Sequence, residues 1–252
     1  MDSKFSIRGF IETSFLDWDG KITSVIFLPN CNLNCSYCSN SVLVNYPETL
    51  REIDFEHIKS FIVERKDFID GIVITGGEPT IQPWLIDLIK EIKALGFLIK
   101  LDTNGINPKV LSQLLSPACR QAGPNSELPT PNSRLVDYIA MDVKAPLNEK
   151  YKEVCGTDVD LNAIRESIKL LINSGIEHEF RTTVVAGSLD NEDIKEIAKS
   201  IVGAKKFALQ QFVPRIAGDE KLRETIPHSK EKLQEMAKIA KEYIPNTIVR
   251  GI

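Results

Sequence analysis

The stretch Cys31-Asn-Leu-Asn-Cys35-Ser-Tyr-Cys38 brings three of the chain's five cysteines within eight residues. It follows an apolar run typical of a buried strand, 21–28, and a second motif, Thr75-Gly-Gly-Glu-Pro79, follows the next such run, 71–75. Three thiolates this close in sequence meet at one point only where the backbone curls around that point, as loops do around metals. The order of strand and then polar loop is therefore the first indication of the fold.

The cysteine count limits the chemistry of this loop. An odd number of cysteines does not suit a disulfide framework, which favours metal binding or catalysis. An iron–sulfur cluster held by three thiolates leaves one iron open to another ligand. Structural zinc prefers four protein ligands, and only His57, Cys119 or Cys155 could supply the fourth. Three unligated thiols are the remaining alternative. Cys119 and Cys155 are too few for a second cluster, and we expect each to be buried or idle.

Strand and helix patterns alternate along the chain, which predicts an α/β fold. Strands are predicted at 21–28, 71–75, 97–102, 136–143, 179–185, 207–212 and 247–250. Helices are predicted at 54–65, 83–95, 161–174, 191–201 and 229–243 from apolar residues at helical spacing.

Six strand–helix units indicate a partial (β/α)6 barrel of the TIM type, because a complete barrel has eight. We expect a single domain over residues 1–252, with a strand or hairpin at 5–15 leading into the barrel. The segment 116–134 has four prolines and no periodicity, which predicts a loop insertion.

Polar or glycine-rich residues follow each of the six barrel strands, where chemistry collects in this fold. Gly76 and Gly77 would let backbone groups approach a ligand, and Glu78 could accept from an ammonium group. Asp102 and Asp142 suit a cation or ribose hydroxyls, and the alternative for both is a purely structural role in capping loops. Lys144 and Arg181 suit a carboxylate, although Arg181 could form a salt bridge instead. Together these groups suit an amino-acid nucleoside.

Composition excludes several classes of protein. The net charge of −4 offers no basic field for nucleic acid. No apolar run reaches the roughly 18–20 residues of a membrane span, and the first residues lack a secretory core, so we expect a cytoplasmic location. His57, His178 and His228 have no partner motif and are expected to be solvated and idle.

The cysteine motif and the TGGEP motif together resemble the radical S-adenosylmethionine (radical SAM) enzymes. The segments LDTNG, MDVKAP, EFRTTVVAG and ALQQFVP extend the likeness to the branch that activates glycyl radical enzymes, most of all to the anaerobic ribonucleoside-triphosphate reductase activating proteins. The resemblance implies the partial barrel and a [4Fe–4S] cluster that binds S-adenosylmethionine (SAM) at one open iron.

Site residues follow from the same resemblance. It implies Cys31, Cys35 and Cys38 as cluster ligands. The peptide around Tyr37 is expected to lie by the adenine of SAM, and Gly76, Gly77 and Glu78 are expected to meet its amine. The residues expected to line its methionine carboxylate are Asp102, Thr103, Asp142, Lys144 and Arg181. In some activators this last group also binds a monovalent cation.

The implied partners are a glycyl radical enzyme, with anaerobic ribonucleoside-triphosphate reductase the first choice, and a flavodoxin or ferredoxin as electron donor. Some activators carry a histidine just past the sixth barrel strand, where this chain has Val213. Two alternatives stay open at this point. One is a radical SAM enzyme acting on a small molecule, such as a 7-carboxy-7-deazaguanine synthase, and the other is a zinc-stabilised scaffold.

Overall fold

The described part of the chain contains eight strands, which form one sheet whose order in space is their order along the chain. The computed structural model describes residues 4–116 and 134–252. The strands are β1 Gly9–Ser14, β2 Thr23–Leu28, β3 Gly71–Gly76, β4 Leu98–Thr103, β5 Tyr138–Asp142, β6 Glu177–Val184, β7 Phe207–Gln211 and β8 Thr247–Arg250. β1 pairs antiparallel with β2, and every later pair is parallel.

Helices connect the parallel strands. They are α1 Ser41–Asn45, α2 Phe55–Glu64, α3 Leu85–Ala94, α4 Pro108–Leu115, α5 Glu149–Cys155, α6 Leu161–Asn173, α7 Asn191–Ser200 and α8 Lys230–Lys241. The strands β2 to β7, each followed by at least one helix, are the six predicted units. The α/β partial barrel is therefore confirmed, with β1 and β8 added at its two edges.

The two faces of each strand differ in chemistry. Residues toward the helices, such as Ile72, Ile99 and Phe180, are fully buried in the main apolar core. The alternate positions face the barrel interior, where buried charged residues such as Asp102 and Arg181 lie beyond an apolar cluster that includes Val73. Alternation with period two therefore separates a packing surface from a chemical one.

The turn between β1 and β2 closes the amino-terminal end of the interior. Trp18 is 8% exposed and packs against Val25 and Val73. Next to it, the Asp19 carboxylate accepts hydrogen bonds from Arg250 of β8 at 2.6 Å and from Lys206, just before β7, at 3.0 Å. One short turn thus ties the first edge of the sheet to the last.

The structure adds three helices that periodicity did not predict: α1, α4 and α5. Each is short, between five and eight residues, so an apolar stripe has little length in which to repeat. Two of them carry a start signal: Asn107 caps α4 through the Val110 N–H, and Asn148 caps α5 through the Lys150 N–H. Residues 117–133 of the predicted insertion lie outside the described residues, as does Cys119.

No helix that the structure describes combines the length and the apolar character needed to cross a bilayer.

The carboxyl ends of β2 and β3 run together closely enough that their backbones touch. The Gly77 N–H donates to the Leu28 carbonyl at 2.9 Å, and the Glu78 N–H donates to the Asn30 carbonyl at 2.8 Å. A methyl group added to Gly77 would lie 1.8 Å from the Asn30 oxygen. Gly77 is therefore required by this close approach, which also fixes where the cysteine loop leaves β2.

We expect Gly77→Ala to lower the free energy of unfolding by at least about 3 kcal/mol, because the atom in the way belongs to the backbone and cannot rotate aside. Gly187→Ala is the matched control. Nothing lies within 4 Å of its added methyl, and only its φ of +82° opposes the change, at about 1 kcal/mol. Chemical denaturation of both variants measures the difference, and equal losses would contradict the close-approach argument.

Candidate active site at the carboxyl ends of the strands

A cavity of about 320 Å³ opens at the carboxyl ends of the strands. This volume lies at the lower end of the range for small-molecule sites. Every residue that the sequence predicted for the site lines it: Cys31, Cys35, Tyr37, Cys38, Gly76, Gly77, Glu78, Asp102, Thr103, Asp142, Lys144 and Arg181. The structure therefore brings together residues from the ends of β2 to β6.

The cysteine loop is held by backbone contacts on both sides. The Asn34 N–H donates to the Cys155 carbonyl at the end of α5 at 3.0 Å, and the Asp219 N–H donates to the Ser36 carbonyl at 2.9 Å. Gly156 follows α5 with φ +66°, and a methyl group there would lie 2.3 Å from the Asn34 oxygen. α5 and the segment after β7 thus fix the position of a loop that has no regular structure of its own.

The three thiols of the loop differ in acidity. A hydrogen bond with the Cys155 thiol, together with the charge of Lys144, outweighs burial and lowers the pKa of Cys35 to about 6. Burial raises the pKa of Cys31 to about 11 and also raises the pKa of Cys38. Cys155, predicted to be buried or idle, is fully buried, and its thiol forms a hydrogen bond with that of Cys35, a candidate cluster ligand.

Within residues 4–116 and 134–252, no three His, Cys, Asp or Glu side chains already converge as a metal site. The three thiols line the wall of the same cavity instead. This donor set suits iron, because soft thiolates are the ligands of iron–sulfur clusters.

Glu78 is buried and accepts hydrogen bonds from residues at the ends of both β3 and β4. One carboxylate oxygen accepts from the Thr80 N–H at 2.9 Å, the Thr80 hydroxyl at 2.6 Å and the Thr103 hydroxyl at 2.7 Å. The other accepts from the Asn104 N–H at 2.7 Å. Burial raises the pKa of Glu78 despite these donors. Both oxygens are engaged within the protein, so the geometry supports a role in fastening two strand ends together.

Charged side chains form a buried network across β4, β5 and β6. Arg181 donates to Asp102 at 2.9 Å and to Asp142 at 2.8 Å, while Lys144 donates to Asp142 at 3.2 Å and Lys100 lies 3.4 Å from Asp102. Burial opposes the charge of both aspartates, but Arg181 and the lysines outweigh it and lower the pKa of each carboxyl. Three cations thus share two carboxylates, and two of these cations, Lys144 and Arg181, line the cavity where an anionic ligand could bind.

Tyr37 and Lys144 bring the cysteine loop and β5 together. The Lys144 ammonium lies 5.8 Å from the centre of the Tyr37 ring. Burial disfavours the charge of Lys144, yet its neighbours, including Asp142, hold its pKa well above the usual value. Lys144 is therefore a charged group facing the cysteines.

Two of the three histidines depart from the prediction that they are solvated: His228 is half-buried with its Nε2 out of solvent, and His178 is fully buried. His178 lies on β6 and is 1% exposed, so the expectation that it is solvated was wrong. Its Nδ1 lies 3.0 Å from the Ile176 carbonyl, and its Nε2 accepts from the Lys205 N–H at 3.4 Å. Burial lowers its pKa. The alternation of residues along β6 could have predicted this burial, because His178 lies on the same helix-facing side of the strand as Phe180.

Two asparagines of the site were not predicted from the sequence. Asn40 donates from its side chain to the Gly76 carbonyl at 2.8 Å, and Asn104 donates to Asn32 at 2.8 Å. Both amides link the cysteine loop to the ends of other strands. Asn104 belongs to the LDTNG segment, so that motif could have indicated a role in the site. No feature of the sequence indicated such a role for Asn40.

Comparison with known proteins decides the family. Residues 25–201 match the model of the radical SAM superfamily. The chain belongs to the radical SAM superfamily. A protein of Methanocaldococcus jannaschii named "Putative glycyl-radical enzyme activating enzyme" is 36% identical over 99% of this chain and 97% of its own length. Within the superfamily, the chain therefore belongs to the glycyl-radical-enzyme activating branch.

Two further likenesses are more distant. A 7-carboxy-7-deazaguanine synthase of Neisseria meningitidis is 32% identical over 55% of this chain and 51% of its own length. The crystal structure of Streptococcus suis SuiB bound to precursor peptide SuiA superposes with a TM-score of 0.65 at 14% identity, over 90% of this chain and 48% of that one. This structural likeness confirms the radical SAM fold. Members of the superfamily use a [4Fe–4S] cluster and SAM.

We expect Arg181→Met to lower the free energy of unfolding of the cluster-free radical SAM protein by about 3 kcal/mol, because two buried carboxylates lose their shared partner. Adding Asp102→Asn should recover part of that loss, since one uncompensated charge disappears. Urea denaturation of the two variants gives both values. A single variant within ~0.5 kcal/mol of the wild type would show that the network does not stabilise the fold.

Proposed function

We propose that this radical SAM enzyme cleaves SAM reductively and generates a glycyl radical on a partner enzyme, with anaerobic ribonucleoside-triphosphate reductase as the partner. The observation that carries the proposal is the single cavity that joins three cysteine thiols to a cationic network at the strand ends. We place the reaction in the cytoplasm, with a flavodoxin or ferredoxin as electron donor.

Cys31, Cys35 and Cys38 would hold the [4Fe–4S] cluster. Three thiolates leave one of four irons open, which is where the amino-acid end of SAM would bind. When bound, the cluster would supply the electron that cleaves the sulfonium to methionine and a 5′-deoxyadenosyl radical. The hydrogen bond with Cys155 and the charge of Lys144 lower the pKa of Cys35, which favours the thiolate form that binds iron.

The protein's own task is to orient SAM and to shield it from water. Lys144 and Arg181 would bind its carboxylate, and the backbone of Gly76 and Gly77 would meet its amine. Glu78 and Thr103 would hold the ends of β3 and β4 at a fixed separation through their 2.7 Å hydrogen bond. The peptide around Tyr37 would lie beside the adenine.

A monovalent cation at Asp102 and Asp142 remains part of the proposal. In this structure Arg181 occupies oxygens of both carboxylates. A cation there would therefore compete with Arg181 unless the guanidinium moves toward a bound carboxylate.

Access for a protein substrate is supported by the rim of the cavity. Val213 and Ile216 line it while remaining 38% and 47% exposed, and Val42 on α1 and Tyr46 just after α1 are 47% and 60% exposed. Exposed apolar side chains around an opening are typical of a protein-binding surface. A glycine-bearing loop of the partner would enter there.

The alternative function is a small-molecule reaction of the 7-carboxy-7-deazaguanine synthase kind. The likeness to the Neisseria meningitidis synthase favours it, but that likeness spans about half of each chain. A pterin-like substrate that binds the SAM-loaded protein and is consumed would establish this alternative.

The decisive assay mixes anaerobically reconstituted protein with dithionite, SAM and the reductase. We expect 5′-deoxyadenosine and methionine to form and a glycyl radical to appear on the reductase in its electron paramagnetic resonance spectrum. If SAM is never cleaved, the mechanism is wrong. If SAM is cleaved and no radical appears on the reductase, only the choice of partner fails.

Cys35→Ala should abolish cluster assembly while the barrel stays folded. Cys155→Ala is the matched control, because it removes a thiol from the same neighbourhood that we do not assign as a ligand. Iron and acid-labile sulfide analysis should find four of each per chain in the control and none in Cys35→Ala. Zinc at one per chain without sulfide would instead establish the scaffold alternative.

A further inference from the structure

Asn104 links the cysteine loop to the ends of β3 and β4. Its side-chain amide nitrogen donates to the Asn32 oxygen at 2.8 Å and lies 3.8 Å from the Cys31 sulfur, within hydrogen-bond range for sulfur. The residue is 5% exposed. A buried amide donor thus faces one of the proposed cluster ligands.

The orientation of this amide is set by contacts that do not involve Cys31. The Asn104 side-chain oxygen accepts from the Ile106 N–H at 3.0 Å, so a flipped amide would face donor against donor. The Asn104 backbone N–H is fixed by Glu78 at 2.7 Å. The donor is therefore already aimed before any ligand binds to the sulfur.

The Cys31 sulfur accepts a second N–H, from the Leu33 backbone at 3.4 Å. Hydrogen bonds to the sulfurs of an iron–sulfur cluster are among the factors that set its reduction potential. A donor favours the reduced state, because the cluster gains one negative charge when it takes up one electron from an external reductant, and no bond forms or breaks in that step.

We propose that Asn104 is a positioning residue that donates a hydrogen bond to the Cys31 thiolate and thereby raises the reduction potential of the cluster. The inference rests on the proposed function, which makes Cys31 a cluster ligand. Through Glu78, the same residue couples the position of the cluster to the strand ends that would hold SAM.

The test is a redox titration of the reconstituted protein without SAM, with dithionite as reductant and the paramagnetic reduced cluster as readout. In Asn104→Ser, the short hydroxyl can still accept from the Ile106 N–H but cannot reach Cys31. We expect the ratio of oxidised to reduced cluster at a fixed potential to rise about tenfold, a shift of about 59 mV for one electron. An unchanged potential in a variant with full iron content would overturn the inference.

Asn45→Ser is the matched control, because Asn45 lines the same cavity and the described contacts include none between its side chain and a cysteine sulfur. Its potential should equal that of the wild type, and an equal shift in both variants would also overturn the inference. If the wild type never assembles a four-iron cluster, the proposed function fails instead.

A second readout decides the matter if Asn104→Ser holds no cluster. Wild-type protein labelled with ¹⁵N in the asparagine side chains should show a nitrogen coupling to the reduced cluster by electron–nuclear double resonance. Absence of that coupling in the wild type would contradict the hydrogen bond directly.

Discussion

Leu28 and Gly76 lie opposite each other at the carboxyl ends of β2 and β3, and the rest of the site depends on that register. Parallel pairing sets the two ends at one level, and the Gly77 and Glu78 backbones then bond across to Leu28 and Asn30. The cysteine loop leaves β2 at this point, so its thiols face the TGGEP segment. A shift of the pairing register by one residue would turn the side chains of a strand to the opposite face of the sheet and separate these groups.

Charge balance is the second constraint. Inside the barrel, Asp102 and Asp142 are shared by Arg181, Lys100 and Lys144, and the network lies mostly out of water. Buried charges are tolerated only when they are paired, so each member depends on the others. Lys144 places a positive field beside the cysteine loop. An anionic cluster and the carboxylate of SAM are ligands that this field would favour.

Much of the fold could be predicted from the sequence because its signals are periodic. Alternating apolar residues identified β2 to β8, and apolar stripes identified the long helices, with errors of one or two residues at most ends. The short helices α1 and α5 escaped because five to seven residues carry too little periodicity. The set of cavity residues was predictable because the strand ends of one sheet share an edge.

The interactions among those residues could not be predicted, because they join positions far apart in the chain. Nothing in the sequence shows that Cys155 would lie against Cys35, or that Asn104 would reach Cys31 across 73 residues. Glu78 illustrates the same limit. Its type suggests an ammonium acceptor, while its four protein donors follow from how β3 and β4 end together.

In the proposed site, three cysteines would hold the cluster and leave one iron open to SAM. Mössbauer spectroscopy of ⁵⁷Fe-reconstituted protein tests it most directly, because it resolves individual irons of the cluster. On addition of SAM, we expect one iron of four to change its parameters toward a higher coordination number while the other three stay the same. A spectrum in which all four irons remain equivalent after SAM has bound would contradict it.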